Sequence, residues 1–191
     1  TTVCSASKVS AWVIVTVTVN SRPTVTFTAQ PGASACANTD VTYTTQSGQS
    51  NYVWTVPGVL NTDYSITSGG IGTSSNTVTL RWLTTGSKTV SVNYTNASGC
   101  SATSATSSTA TTVNARPTVT FTAQAGASAC TNTNVTYTTQ SGQSNYVWGV
   151  PGVLNTDYTI ISGGIGTGSN TVTLRWLTTG SKTVTINYNN A

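Results

Sequence analysis

Reactive side chains are scarce in this 191-residue chain. Its only carboxylates are Asp40, Asp63 and Asp157, and it has no Glu and no His. The many Ser and Thr hydroxyls therefore lack an ordinary general base to make them nucleophiles. Glycosidase chemistry needs two acids facing one bond, and the second half of the chain offers Asp157 alone. Calcium takes about six to eight oxygen ligands, several of them carboxylates, which three Asp cannot supply twice. A Lys–Asn isopeptide crosslink could draw on Lys88 and Lys182, but it needs a buried acid as proton shuttle, and Asp40 is replaced by Asn134 at the matching position. No catalytic residue, cofactor or metal ligand is expected, and the chain reads as a non-enzyme.

The cysteines are the exception. Cys4, Cys36, Cys100 and Cys130 form no C-x-x-C pair and have no His nearby, which argues against zinc. They fit an exported chain whose thiols form disulfides. The seven basic residues (Lys8, Arg22, Arg81, Lys88, Arg116, Arg175, Lys182) give a net charge of +4 but are scattered. Nucleic-acid binding needs a basic run or stripe to neutralise phosphates, so no nucleic-acid partner is expected. The apolar stretch Ala11 to Val19 is too short for a membrane span, and no membrane insertion of this segment is expected.

What positions these residues is a scaffold written twice. Residues 22 to 97 return at 116 to 191, shifted by 94 positions, with 66 of 76 positions identical. The ten differences, such as Ser65 to Thr159 and Val92 to Ile186, bring no reactive group into one copy alone. Duplicating a whole scaffold this faithfully adds length more readily than it adds a site. The chain lacks Met and a signal peptide, which predicts an excised internal piece of a longer protein.

Each copy is filled with strand signals. Thr occupies 43 positions, and its branched Cβ suits a pleated surface. Val25, Phe27 and Ala29 alternate with Thr; Val41, Tyr43 and Thr45 follow, then Tyr52, Trp54 and Val56 up to Pro57-Gly58. Tyr64 and Ile66 precede Gly69-Gly70; Val78, Leu80 and Trp82 end at Thr84-Thr85-Gly86; Val90, Val92 and Tyr94 end at Asn96. A seventh strand ends near Val113. No helical period competes. Seven short strands with an aromatic-rich third one predict an immunoglobulin-like sandwich.

Tyr52-Val-Trp-Thr-Val-Pro-Gly, Ile66-Thr-Ser-Gly-Gly-Ile-Gly-Thr with Asn76-Thr-Val-Thr-Leu-Arg-Trp, and Gly86-Ser-Lys-Thr-Val-Ser-Val resemble the PKD-like modules of large Bacteroidota surface proteins. Ala35-Cys36-Ala-Asn-Thr and Ser98-Gly-Cys100-Ser also fit. The near-identical tandem copies look most like gliding-motility adhesins of the SprB type, which the type IX system exports to the cell surface. The resemblance implies an all-β chain of tandem immunoglobulin-like, PKD-like seven-stranded β-sandwiches arranged end to end. It implies an extracellular, cell-surface stalk or spacer in a filamentous adhesin, with no catalytic residues to carry over.

Cys4-Ser-Ala-Ser matches Cys100-Ser-Ala-Thr, and Thr16-Val-Thr-Val-Asn-Ser-Arg-Pro matches Ala110-Thr-Thr-Val-Asn-Ala-Arg-Pro. Residues 1–21 are thus expected to be the closing strand of a preceding module. Residues 22–115 form module 1, and residues 116–191 form module 2 without its last strand. The short connector Val113-Asn-Ala-Arg-Pro117 predicts a stiff junction, because Pro117 restricts the residue before it. Partners are expected to be neighbouring modules or head-to-tail copies that donate the missing strand, with surface polysaccharide as a further ligand.

Trp54, Trp82, Trp148 and Trp176 are expected in the sandwich cores. Exposed on one sheet face, they would instead be sugar-stacking platforms, and the chain would be a carbohydrate-binding module pair or the spacer of a secreted polysaccharide-degrading enzyme. For the cysteines, an immunoglobulin-like path puts the loop before the second strand and the loop after the sixth at opposite ends. Strands of ~6 residues at about 3.3 Å each separate them by roughly 20 Å, against the ~4.4–6.8 Å between Cα atoms that a disulfide allows. Cys36 with Cys100 is therefore not expected. Inter-module bonds are, with Cys36 joining the Cys4 position of a following segment and Cys100 joining Cys130 between successive periods.

Overall fold

The computed structural model describes residues 13–72, 74–166 and 168–190. The chain divides into two compact units, Thr1–Val113 and Asn114–Ala191, a cut lying within two residues of the boundary between the sequence repeats. Both are all-β sandwiches of immunoglobulin-like type, and no helix occurs among the described residues.

Unit 1 opens with β1 (Phe27–Ala29), β2 (Ser34–Cys36), β3 (Asp40–Thr45), β4 (Ser50–Thr55) and β5 (Tyr64–Gly69). It continues with β6 (Thr77–Trp82), β7 (Gly86–Lys88), β8 (Ser91–Thr95), β9 (Thr106–Ser107) and β10 (Thr111–Asn114). One sheet runs in the order β1-β3-β6-β5 and a second in the order β4-β8-β9. A period of two decides which side chains go inside. Along β3, Val41, Tyr43 and Thr45 are buried while Asp40 and Thr42 face water; along β6, Val78, Leu80 and Trp82 are buried. The apolar faces of both sheets meet in one cluster that includes Tyr43, Trp54, Leu80, Trp82, Val92 and Val113. Phe27, only half-buried, packs edge-on against Tyr43 and Trp54 with ring centroids 6.2 and 6.0 Å away.

The closing strand is split. β9 pairs with β8, whereas β10 crosses over to lie between β2 and β7. At the crossover the Ser108 hydroxyl accepts a hydrogen bond from the Val90 amide, and the Ser108 amide donates to the Val90 carbonyl. β2 and β7 lie outside the seven strands expected from hydrophobic alternation. Ser34-Ala-Cys36 and Gly86-Ser-Lys88 carry no alternating pattern, and β10 supplies the partner that makes them strands.

Unit 2 contains β11 (Phe121–Ala123), β12 (Asn134–Thr139), β13 (Ser144–Gly149), β14 (Tyr158–Gly163), β15 (Thr171–Trp176) and β16 (Thr185–Asn189). The sheet β11-β12-β15-β14 repeats its counterpart, including the pairing of Val135 with Leu174 and of Tyr137 with Val172. The other sheet is reduced to β13-β16. Ser128-Ala-Cys130 and Gly180-Ser-Lys182 have the sequences of β2 and β7 but are not strands.

Candidate functional site

The side chains singled out for chemistry are engaged in the scaffold. Asp63 holds the loop before β5: its carboxylate accepts from the Val59 amide at 2.7 Å and from the Thr84 hydroxyl at 3.4 Å. Asp157 repeats this with Val153 and Thr178 at 2.8 and 3.1 Å, and those bonds hold its carboxyl below the usual range. Gly58 is required there, because a Cβ at its position would lie 2.6 Å from the Asp63 Cβ. Asp40 pairs with Arg81 at 2.8 Å, both about half exposed. The hydrogen bond and charge of Arg81 lower the Asp40 carboxyl. In unit 2, Arg175 donates to the neutral Asn134 at 3.1 Å.

The four expected core tryptophans, Trp54, Trp82, Trp148 and Trp176, are all buried, and Tyr52 is buried beside them. Trp54 spends its indole N–H on the Ser75 carbonyl at 2.8 Å, and Trp148 does the same with Ser169 at 2.9 Å. The Tyr52 hydroxyl donates to the Gln46 carbonyl and accepts from the Gln49 amide, fixing the turn into β4. Trp54, Trp148 and Tyr52 therefore anchor the core by their apolar bodies and a loop by their polar tips. Lys88 and Lys182 donate to Thr84 and Thr178 at 2.9 Å and lie over the rings of Trp82 and Trp176 at 5.4 and 5.5 Å. The large hydrophobic side chains exposed among the described residues are all aliphatic.

Cys36, Cys100 and Cys130 carry free thiols, with Cys36 and Cys130 exposed; Cys4 lies outside the described residues. Cys36 is near the Asp40 end of β3. Cys100 follows Tyr94, whose hydroxyl bonds the Thr24 carbonyl, and Thr24 also accepts from Gln46, just past the far end of β3. The six residues of β3 thus separate the two cysteines of unit 1.

The open edge expected of a module 2 without its last strand takes a definite form. It is a cavity of about 570 Å³ in unit 2, flanked by residues 125–131 on one side and 178–182 on the other, with Val135, Tyr137 and Trp176 at its floor. Its two walls are the counterparts of β2 and β7, so the cavity occupies the place that β10 fills in unit 1. Tyr43 and Trp82 are 0% exposed in unit 1, while their counterparts Tyr137 and Trp176, which line the cavity, stand at 9% and 5%.

No known protein family matches the chain, and no curated protein matches its sequence. Among solved structures it is similar to the D0-D1 domain of intimin, at 21% identity over 85% of this chain and 91% of that one, with a TM-score of 0.32. The D00-D0 domain of intimin follows at 14% identity, 87% and 92% coverage and a TM-score of 0.38. The Escherichia coli adhesin FdeC is 17% identical over 87% of this chain and 59% of that one, with a TM-score of 0.36.

Proposed function

We propose that this chain is a structural repeat segment of a long, filamentous bacterial cell-surface adhesin, a stalk that sets reach. The observation that carries this reading is the fidelity of the duplication: 66 of 76 positions are identical, and they include the whole set of core aromatics. The sharper form of the proposal is a PKD-like stalk of the gliding-motility type, with its modules in line and its junctions locked by inter-module disulfides. Burial of Tyr52, Trp54 and Trp82 removes the aromatic platform on which the carbohydrate-binding alternative depends.

Single-molecule pulling on a tandem array of the period tests the stalk. Modules of near-identical core should unfold at closely similar forces. Each should release about 300 Å of chain, at ~3.3–3.6 Å for each residue of the period. A parallel glycan array should show no saturable binding. Saturable binding of one glycan class, or modules that give way at forces too low to bear load, would overturn the reading.

A further inference from the structure

The first strand of each unit is fastened by side chains more than by a ladder. In unit 1 only Phe27–Ala29 pairs with β3, and the register shifts between those two residues. Thr24, Val25 and Thr26, just before it, lie outside any strand, and side chains hold their main chain. The Tyr94 hydroxyl donates to the Thr24 carbonyl at 3.3 Å, and the Thr106 hydroxyl to the Val25 carbonyl at 2.7 Å. The Thr45 hydroxyl proton is shared between the Thr26 carbonyl at 2.7 Å and Gln46 Oε1 at 2.8 Å.

Gln46 is the hub of these contacts. Its Oε1 also accepts from the Thr26 amide at 3.2 Å, while its Nε2 donates to the Thr24 carbonyl at 3.3 Å and to the Thr26 hydroxyl. The Thr24 carbonyl and the Thr26 amide flank Val25, so the carboxamide bonds them as the peptide of a neighbouring strand would. It takes over where β3 ends at Thr45 and the chain turns away through Gly48 at φ 74. Unit 2 repeats the arrangement. Gln140 Oε1 accepts from the Thr120 amide at 3.3 Å and from the Tyr188 hydroxyl, and its Nε2 donates to the Thr118 carbonyl at 3.2 Å and to the Thr120 hydroxyl. Of that first strand, only Phe121–Ala123 enters a ladder.

From this we infer that the first strand opens separately from the rest of each unit, with Gln46 and Gln140 as the latches that hold it shut. Little of the core leaves with it. In unit 1 the segment brings Val25 to the buried cluster and Phe27 to its margin. In unit 2 Phe121 packs at the margin, and no residue from 116 to 123 is fully buried. Tyr43, Trp54, Leu80, Trp82 and Val92 stay joined through the pairings of β3 with β6 and of β4 with β8. Segments with few buried apolar contacts are the ones that open locally while the body stays folded. The latch is made of carbonyls, amides and hydroxyls without a charged group, so salt does not screen it. In the stalk proposed above, on which this use rests, tension would open the latch before it breaks the core, giving each module a reversible first yield.

Peptide-level hydrogen exchange on the 191-residue chain tests the latch without load. Gln46→Ala should speed exchange of residues 24–29 about tenfold or more, because several hydrogen bonds go at once, and leave β6 and β8 as in wild type. Gln140→Ala should do the same to residues 118–123. Gln46→Glu keeps the shape and adds a titration. At neutral pH its carboxylate can donate nothing to the Thr24 carbonyl, and the strand should open as in the Ala variant. Protonated below about pH 4, it regains a donor, and protection should recover toward that of wild type at the same pH. The phenols of Tyr52 and Tyr94, which bond the Gln46 and Thr24 carbonyls, stay neutral across that range. Unchanged exchange of residues 24–29 in Gln46→Ala, unit 1 unfolding as a whole in either variant, or a Gln46→Glu variant indifferent to pH would overturn the proposal. Pulling on the array separates this inference from the stalk itself. Weak modules whose first strands still open separately by exchange would refute the stalk alone; strong modules whose first strands exchange only with the core would refute the latch alone.

Discussion

Substituting Val113→Ala should convert the β2 and β7 walls of unit 1 toward the state their twins already show in unit 2. Val113 is 1% exposed and sits between those walls. Removing its two methyl groups forfeits about 1.6 kcal/mol of transfer free energy, at ~0.8 kcal/mol each. A residual cavity of some ~50 Å³ would add about 1.2 kcal/mol at ~24 cal/mol per Å³, less if the walls relax inward. The expected loss is thus about 2–3 kcal/mol, or roughly 10–20 °C in the unfolding midpoint of a domain this size. Hydrogen exchange read peptide by peptide separates the units. Amides of Ser34–Cys36 and Gly86–Lys88 should lose protection first. Val113 belongs to the core cluster of unit 1 and not to that of unit 2, so the core amides of unit 2 should be unchanged. Wild-type protection in β2 and β7, or equal loss in both units, would show that β10 does not hold these edges.

Gly69 lies in β5 at φ 68, and a Cβ there would stand 2.1 Å from the Thr77 carbonyl oxygen. Gly69→Ala should therefore destabilise unit 1 by about 1–3 kcal/mol through backbone strain, and an unchanged denaturation midpoint would refute the clash. The Asp40–Arg81 pair carries a pH signature. Because Arg81 lowers the folded-state pKa of Asp40, the pair's contribution is present above the unfolded value near ~4 and is lost as pH falls through the folded value. The stability gap between wild type and Asp40→Asn, followed by denaturant titration from about pH 6 down to about pH 2, should accordingly shrink below ~4. A gap that grows on acidification would contradict the sign. Asn134→Asp should rebuild the pair against Arg175 with little gain at physiological salt, since exposed pairs are screened. A marked rise in the unit 2 midpoint would count against that.

What the sequence disclosed follows how each element is stabilised. Strands that bury alternate large side chains announce themselves: Val41-Tyr43-Thr45, Tyr52-Trp54 and Val78-Leu80-Trp82 each lie in β3, β4 and β6 within a residue or two of where their alternation runs. The first strand is shorter than its alternation, since Val25 is buried but only Phe27–Ala29 enters a ladder. Gly86 was expected to close a strand and instead begins β7. Nothing local could have shown this, because Gly-Ser-Lys at 86–88 is a strand and the same tripeptide at 180–182 is not.

That pair of tripeptides also explains why the walls of the cavity were hidden, although an open edge in module 2 was expected. A pocket built for a ligand usually declares itself by residues unlike their surroundings, but this cavity is lined by residues that unit 1 uses as ordinary edge strands. Between the matching walls unit 1 places Thr111–Asn114. Unit 1 is built with two edges, β2 and β7, that a later segment of its chain, β10, satisfies. A unit of that kind has its unmet backbone donors and acceptors concentrated at one place, and unpaired edges recruit strands.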